Sequence, residues 1–275
     1  MAFFKKFINF LIHSNIYLAL GSAFLPITAF TFLKLPIKIE PIFIVFTTTI
    51  FLYYLNRRSD IAEDAINYPE RISFFKKYGN YFLFLTFILY VAGLSLALSH
   101  NFKTFFIALI PLLIMIAYSL LRLKKYFLIK NILASIGWAS SFILAGAYFN
   151  LEFSLSVMII FLFYFFRAMI NTIFCDVRDM SGDKALGIKT LPIKIGIKST
   201  KLFLHFLNIL SISLILIALF FKIISGGYII LFVALYGFFC INSINKFNIK
   251  TLSELIDGEL YMLGGLALLE RVLFV

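Results

Sequence analysis

Apolar residues run along this chain in long blocks separated by short polar segments. A bilayer core of about 30 Å takes about 20 apolar residues per helix. On that measure the pattern predicts nine spans, at about 13–33, 39–56, 79–98, 104–121, 129–148, 154–175, 200–221, 227–245 and 256–274. Backbone groups in lipid must bond within their own segment, so these are helices; the alternation a β-barrel requires is absent. Lys5 and Lys6 precede an apolar run, as in a signal peptide. The run continues to about Phe32 without a clear cleavage site, so a retained first span is expected. No linker or low-complexity tail interrupts the pattern, and the expectation is an all-α integral membrane protein, one bundle over residues 1–275.

Composition agrees. Hydrophobic residues make up 62% and charged residues 14%, with mean hydropathy +1.01, where soluble domains average about 45–50% and about 25%. Most soluble-enzyme classes are thereby excluded. The net charge of +12 concerns topology rather than nucleic acid. With the N-terminus inside, the inner segments 1–12, 57–78, 122–130, 176–201 and 246–254 hold nineteen basic residues and the outer ones four. Positive residues collect on the cytoplasmic side, which places the N-terminus in the cytoplasm and the C-terminus outside. The 36 Phe residues do not interleave with basic residues as in a stacking surface. Cys175 and Cys240 lie in apolar stretches, and His13, His100 and His205 are scattered, so no zinc site is indicated. Motifs of nucleophilic hydrolases, P-loops and Rossmann folds are absent.

The acids carry the chemistry. Seven of the 13 acidic residues fall in the two longest inner loops: Asp60, Glu63, Asp64 and Glu70 in one, Asp176, Asp179 and Asp183 in the other. Asn56, Asp60 and Asp64 recur every four residues, on one face of a helix prolonged beyond the second span. Asp176, Asp179 and Asp183 step by three and four beyond the sixth span. Asp60 and Asp64 are offset from Asp179 and Asp183 by the same 119 positions, consistent with a weak internal repeat. Carboxylates stacked at this spacing repel unless a cation sits between them. Nearby Arg57, Arg58, Arg178 and Lys184 could serve as solvated counter-ions. The functional alternative is a pair of facing clusters holding Mg²⁺, a hard cation usually bound by one or two carboxylates plus phosphate oxygens. A diphosphate would then bridge the clusters.

These residues resemble a known family. Asn56-Arg-Arg-Ser-Asp60-Ile-Ala-Glu-Asp64 is similar to the first Asp-rich motif, NDxxDxxxD, of the UbiA superfamily of intramembrane prenyltransferases. Asp176-Val-Arg-Asp179-Met-Ser-Gly-Asp183-Lys-Ala-Leu-Gly187-Ile-Lys-Thr190-Leu-Pro192 is similar to the second, DxxDxxGDxxxGxxTLP. Between them, Tyr118-Ser119-Leu-Leu-Arg-Leu-Lys124 resembles the YSxxxxK segment, and Asn67-Tyr-Pro69-Glu-Arg71 resembles NxPxR. Arg57 departs from the family's usual Asp at the second motif position, and Asn171 stands where many relatives have Arg.

The resemblance implies a nine-helix enzyme of the cell membrane, with its active site facing the cytoplasm. It would transfer a prenyl group from an isoprenyl diphosphate to an aromatic or other lipid-precursor acceptor, with Mg²⁺. Asp60, Asp64, Asp179 and Asp183 would be catalytic and hold the metal, while Asn56, Arg71, Tyr118, Ser119, Lys124 and Asp176 would bind substrate. The tail is expected in a pocket between the second, fourth and sixth spans. No motif selects the acceptor. Two other readings remain open: a catalytically silent UbiA-like subunit, and an ion-coupled transporter, against which the carboxylates lie beyond the helix ends in loops.

Overall fold

The computed structural model describes residues 2–59, 61, 69–120, 123, 126–185, 187–244, 246 and 249–274. It is all-helical among these residues. Helix α1 (Ala2–His13) breaks at Asn15, whose left-handed backbone (φ 55°) starts α2 (Ile16–Ser22), followed by α3 (Phe24–Phe32). Phe7–His13 and Ile16–Phe32 meet at 73°. The chain continues through α4 (Ile39–Ser59), α5 (Pro69–His100) and α6 (Phe102–Met115), which runs into a π-helical turn, Ile116–Leu120. Then come α7 (Ile129–Ala147), α8 (Leu155–Arg178), the short α9 (Met180–Ala185) and α10 (Leu191–Phe220). A 3-10 turn, Ile230–Phe232, leads into α11 (Val233–Ser243), and α12 (Ile249–Phe274) ends the fold.

Six helices among the described residues are long and apolar enough to cross a bilayer, or seven if the bent pair is one span. The sequence pattern predicts nine. The eighth expected span falls on the short apolar stretch Ile230–Ser243. The ninth falls on α12, which is long enough but carries Glu254, Asp257, Glu259, Glu270 and Arg271.

Several of those charges are answered inside the protein, which is how an ionisable group is tolerated at membrane depth. Glu259 Oε1 accepts from Arg167 Nε of α8 at 2.6 Å, and Arg167 also donates to Asn208 Oδ1 of α10. The Glu270 carboxylate accepts from the backbone N–H groups of Gly227 and Ile229. Arg271 donates to Thr31 Oγ1 and to the carbonyl of Leu35. At the opposite end of the fold from the Asp motifs, Lys103 and Glu152 pair at 2.6 Å. The hydrogen bond from Lys103 holds the Glu152 carboxyl below its ordinary range.

Helices α4, α7 and α8 form the buried centre, and α5 and α6 lie at the periphery with little of their surface covered. The largest apolar cluster joins Leu25 and Phe30 of α3, Phe142 of α7, Ile160 and Phe163 of α8, and Leu263 of α12. A second joins Ile170 and Ile173 of α8 to Leu204 of α10 and Ile241 of α11. Helix α8 therefore packs into protein along most of its length and brings only its end to the motif face.

Candidate active site

The motif residues gather at one end of this bundle. Asn56 stands one turn before the end of α4, and its Oδ1 accepts from Ser119 Oγ in the π-turn at 3.3 Å. Pro111 inside α6 is followed by that π-turn, a wider winding that often marks functional positions. The turn carries Tyr118 and Ser119 together to the end of α4.

On the other side, Asp176 occupies the last turns of α8 and is fully buried. Its Oδ2 accepts from Asn131 Nδ2 at 2.9 Å, and Lys130 Nζ lies 2.7 Å from Oδ1. The Lys130 contact is ionic rather than an aligned hydrogen bond. Asp179 ends α8 and is gripped by the Arg178 fork, Nε to Oδ1 at 2.9 Å and an outer nitrogen to Oδ2 at 2.7 Å. Asp183 lies on α9, and its backbone N–H donates to the Asp179 carbonyl, closing one helical turn. The chain then reverses through Gly187 (φ 69°), a left-handed backbone that glycine takes without a Cβ penalty.

A cavity of 190 Å³ opens below Asn56 and Tyr118. Helix α4 contributes Ile44, Thr48, Leu52 and Tyr53, α6 contributes Ile107, Ala108 and Ile114, and α7 contributes Ala134, Gly137, Trp138, Ser141 and Leu144. Ala134, Gly137 and Ser141 share one face of α7, and their small side chains leave the space. The lining is mostly apolar, with Asn56 and Tyr118 at the motif end and Ile44, Val45, Ala108 and Leu144 packed together at the far end. The expected pocket between the second, fourth and sixth spans is thus corrected in one member: the fifth, α7, lines it, and α8 is committed to the core.

Of the residues singled out in the sequence, the structure brings Asn56, Tyr118 and Ser119 together, and joins Asp176 to Asp183 through Lys130. Asp60, Asp64 and Lys124 lie outside the described residues. Arg71 lies on the first turn of α5, its side chain outside the described atoms. Sequence reading counted Lys130 only as a topological charge and passed over Asn131, Tyr53 and Trp138. The adjacent Lys-Asn pair at the start of an apolar span was the available signal.

The second motif offers oxygen donors suited to a hard divalent cation. Asp176 has its oxygens engaged by Lys130 and Asn131 and is fully buried, whereas Asp179, though held by the Arg178 fork, and Asp183 keep some side-chain exposure and are the donors a cation could reach. Among the described residues no three His, Cys, Asp or Glu side chains converge on one metal position.

Residues 23–256 match the UbiA prenyltransferase family. The chain belongs to the UbiA prenyltransferase family. That bears out the relationship read from the two Asp motifs. Among curated UbiA-related proteins, a digeranylgeranylglyceryl phosphate synthase from Sulfurisphaera tokodaii is 29% identical over 157 residues, covering 54% of each chain. The chain thus spans about half the length of the curated relatives it matches. A solved structure concerned with digeranylgeranylglyceryl phosphate synthase in membranes is 26% identical, with a TM-score of 0.63 over 99% of this chain and 98% of the other. A UbiA homologue from Archaeoglobus fulgidus bound to GPP and Mg²⁺ superposes with a TM-score of 0.66 at 17% identity, over 94% and 95% of the two chains. This likeness concerns the fold. Together with its apolar helices, the family makes the chain a multi-pass membrane protein.

Proposed function

We propose that this UbiA member transfers a prenyl group from an isoprenyl diphosphate to an acceptor within the membrane. The observation that carries the reading is the apolar cavity leading from Asn56 and Tyr118 into the bundle. A prenyl tail gains about 0.8 kcal/mol for each methylene-sized group it buries, and this cavity offers it a dry wall of Ile, Leu and aromatic side chains. The diphosphate head then rests at the motif end, beside the second Asp motif. Ionisation of the allylic C–O bond leaves a carbocation, which aromatic faces stabilise; Tyr53, Tyr118 and Trp138 line the space. Exclusion of water by the apolar wall protects that cation from capture.

Mg²⁺ suits the carboxylates of Asp179 and Asp183, with Asp60 and Asp64 completing the set. When bound, it neutralises charge developing on the leaving diphosphate. Asn56, Ser119 and Tyr118 orient the head group, and Arg71 and Lys124 add positive charge beside it. The positive-inside pattern places this end in the cytoplasm of a cell membrane, with nine spans forming a single domain.

The relatives named above favour a glycerol-phosphate ether as acceptor: once the allylic C–O bond has broken and diphosphate has left, a free hydroxyl of the acceptor attacks the carbocation, the new C–O bond forms and the hydroxyl proton is released. The test is turnover of radiolabelled geranylgeranyl diphosphate by the purified protein in lipid nanodiscs, with geranylgeranylglyceryl phosphate and with aromatic acceptors in parallel. Labelled diether supports the reading. Labelled aromatic product alone would replace the acceptor, and no transfer to any acceptor would overturn the activity.

A further inference from the structure

Three carboxylates of the second Asp motif stand at the end of α8 and on α9, and two of them share one cation. Lys130 Nζ lies 2.7 Å from Asp176 Oδ1 and 3.8 Å from Asp183 Oδ2. Asn131, the next residue, takes the other Asp176 oxygen at 2.9 Å. Asp176 is fully buried and Asp183 is 6% exposed. Two carboxylates withdrawn from water next to each other do not stay ionised without a positive charge between them. Lys130, with 21% of its side chain exposed, supplies that charge from a third helix, α7, whose next turns line the tail cavity.

We propose that Lys130 is a positioning residue that acts as the built-in cation of the second Asp motif, holding Asp176 and Asp183 together where a divalent ion would otherwise be needed. Through Asp176 it fixes the end of α8 against the start of α7, and through Asp183 it fixes α9. The motif is therefore set relative to the cavity before any substrate arrives. Lys130 is a poor candidate for direct contact with diphosphate. Its ammonium is a compact point charge already committed to a buried carboxylate, and swinging it away would leave Asp176 uncompensated. The ionic contact with Asp176 is also unlike an exposed ion pair, whose contribution solvent screening reduces to almost nothing.

The inference deepens the prenyl-transfer reading and rests on it only for the catalytic half of its test. If Lys130 is the built-in cation, its removal leaves two buried carboxylates that a hard divalent ion can bridge. Melting of the detergent-solubilised Lys130→Ala protein without substrate should then depend on Mg²⁺, rising by several degrees with the ion and not with NaCl of equal ionic strength. Wild type and Lys130→Arg, whose Mg²⁺ site lies on other carboxylates of the motifs, should show a clearly smaller Mg²⁺-dependent rise than Lys130→Ala. In the transfer assay, half-maximal activity of Lys130→Ala should need about tenfold more Mg²⁺ or more, the scale of removing a group that orients metal-binding side chains. Where Lys130→Ala fails to fold, Lys130→Met/Asp176→Asn removes both members of the buried pair, and its melting should depend on Mg²⁺ no more than that of wild type. Equal Mg²⁺ dependence of melting in wild type and Lys130→Ala would overturn the proposal, as would a Lys130→Arg protein that behaves like Lys130→Ala. A wild-type protein without turnover would instead overturn the prenyl-transfer reading, and the melting comparison would still decide the role of Lys130.

Discussion

Arg167 and Glu259 lie 92 residues apart in sequence and 2.6 Å apart in the bundle. Arg167 is 1% exposed, and the pair ties α8 to α12, with Asn208 of α10 as a third member. Gly237 of α11 makes room, because a Cβ there would meet Asn208 Oδ1 at 2.3 Å and an Arg167 nitrogen at 3.1 Å. Breaking one side of such a pair leaves an uncompensated buried charge, which costs about 3–5 kcal/mol. Thermal melting in detergent should therefore show Glu259→Gln and Arg167→Met clearly destabilised, with the double variant less affected than the two singles added together. Additive losses would mean that the two residues act separately.

The second Asp motif gives the sharpest expectation for activity. Asp179→Ala and Asp183→Ala should each lose about 10²-fold or more in transfer rate, the scale of removing a leading electrostatic contribution, while remaining folded. Asp60→Ala and Asp64→Ala should behave alike if the two motifs share one metal-diphosphate. EDTA should abolish transfer and Mg²⁺ restore it. Near-normal turnover in the Asp183→Ala protein would remove the motif from the site.

Topology is open to a direct check. In a background with Cys175→Ser and Cys240→Ser, a cysteine at Ser73 should resist a membrane-impermeant thiol reagent applied to intact cells. A cysteine at His100, at the other end of α5 and exposed, should be labelled. The reverse pattern would invert the orientation.

Much of this arrangement was legible in the sequence, and the reasons differ from element to element. The blocks that form α4, α5, α6, α7, α8 and α10 are apolar over a bilayer's length, and length with apolarity is what defines a span. Helix α12 is different: its Glu259 and Glu270 are buried inside the bundle, and which partner answers each is decided by residues about 90 and 40 positions away. The break at Asn15 rests on a left-handed backbone that no periodicity announces. At the site, carboxylate spacing revealed Asp176, Asp179 and Asp183 as one group, since helical spacing alone puts them on one face. Their division of labour was hidden. Asp176 turns inward because Lys130 and Asn131 reach it from α7, a contact across 45 residues. The cavity was misplaced by one helix for a similar reason: Ala134, Gly137 and Ser141 leave a gap only because of what they face.

The central claim is that a prenyl diphosphate places its tail in the cavity below Asn56 and Tyr118, and the chain carries its own reporter there. Trp138 lines that cavity and is the single tryptophan of the protein, with its ring 6.1 Å from that of Tyr53. Its fluorescence should be followed while geranylgeranyl diphosphate is added to the purified protein with Mg²⁺. The account predicts a saturable change in Trp138 emission, weaker binding for shorter tails, and no comparable change with inorganic diphosphate. It also predicts that Ala108→Phe, which fills the far end, favours the shorter tails. A Trp138 signal that stays constant while the same preparation binds labelled geranylgeranyl diphosphate would place the tail elsewhere and contradict the account.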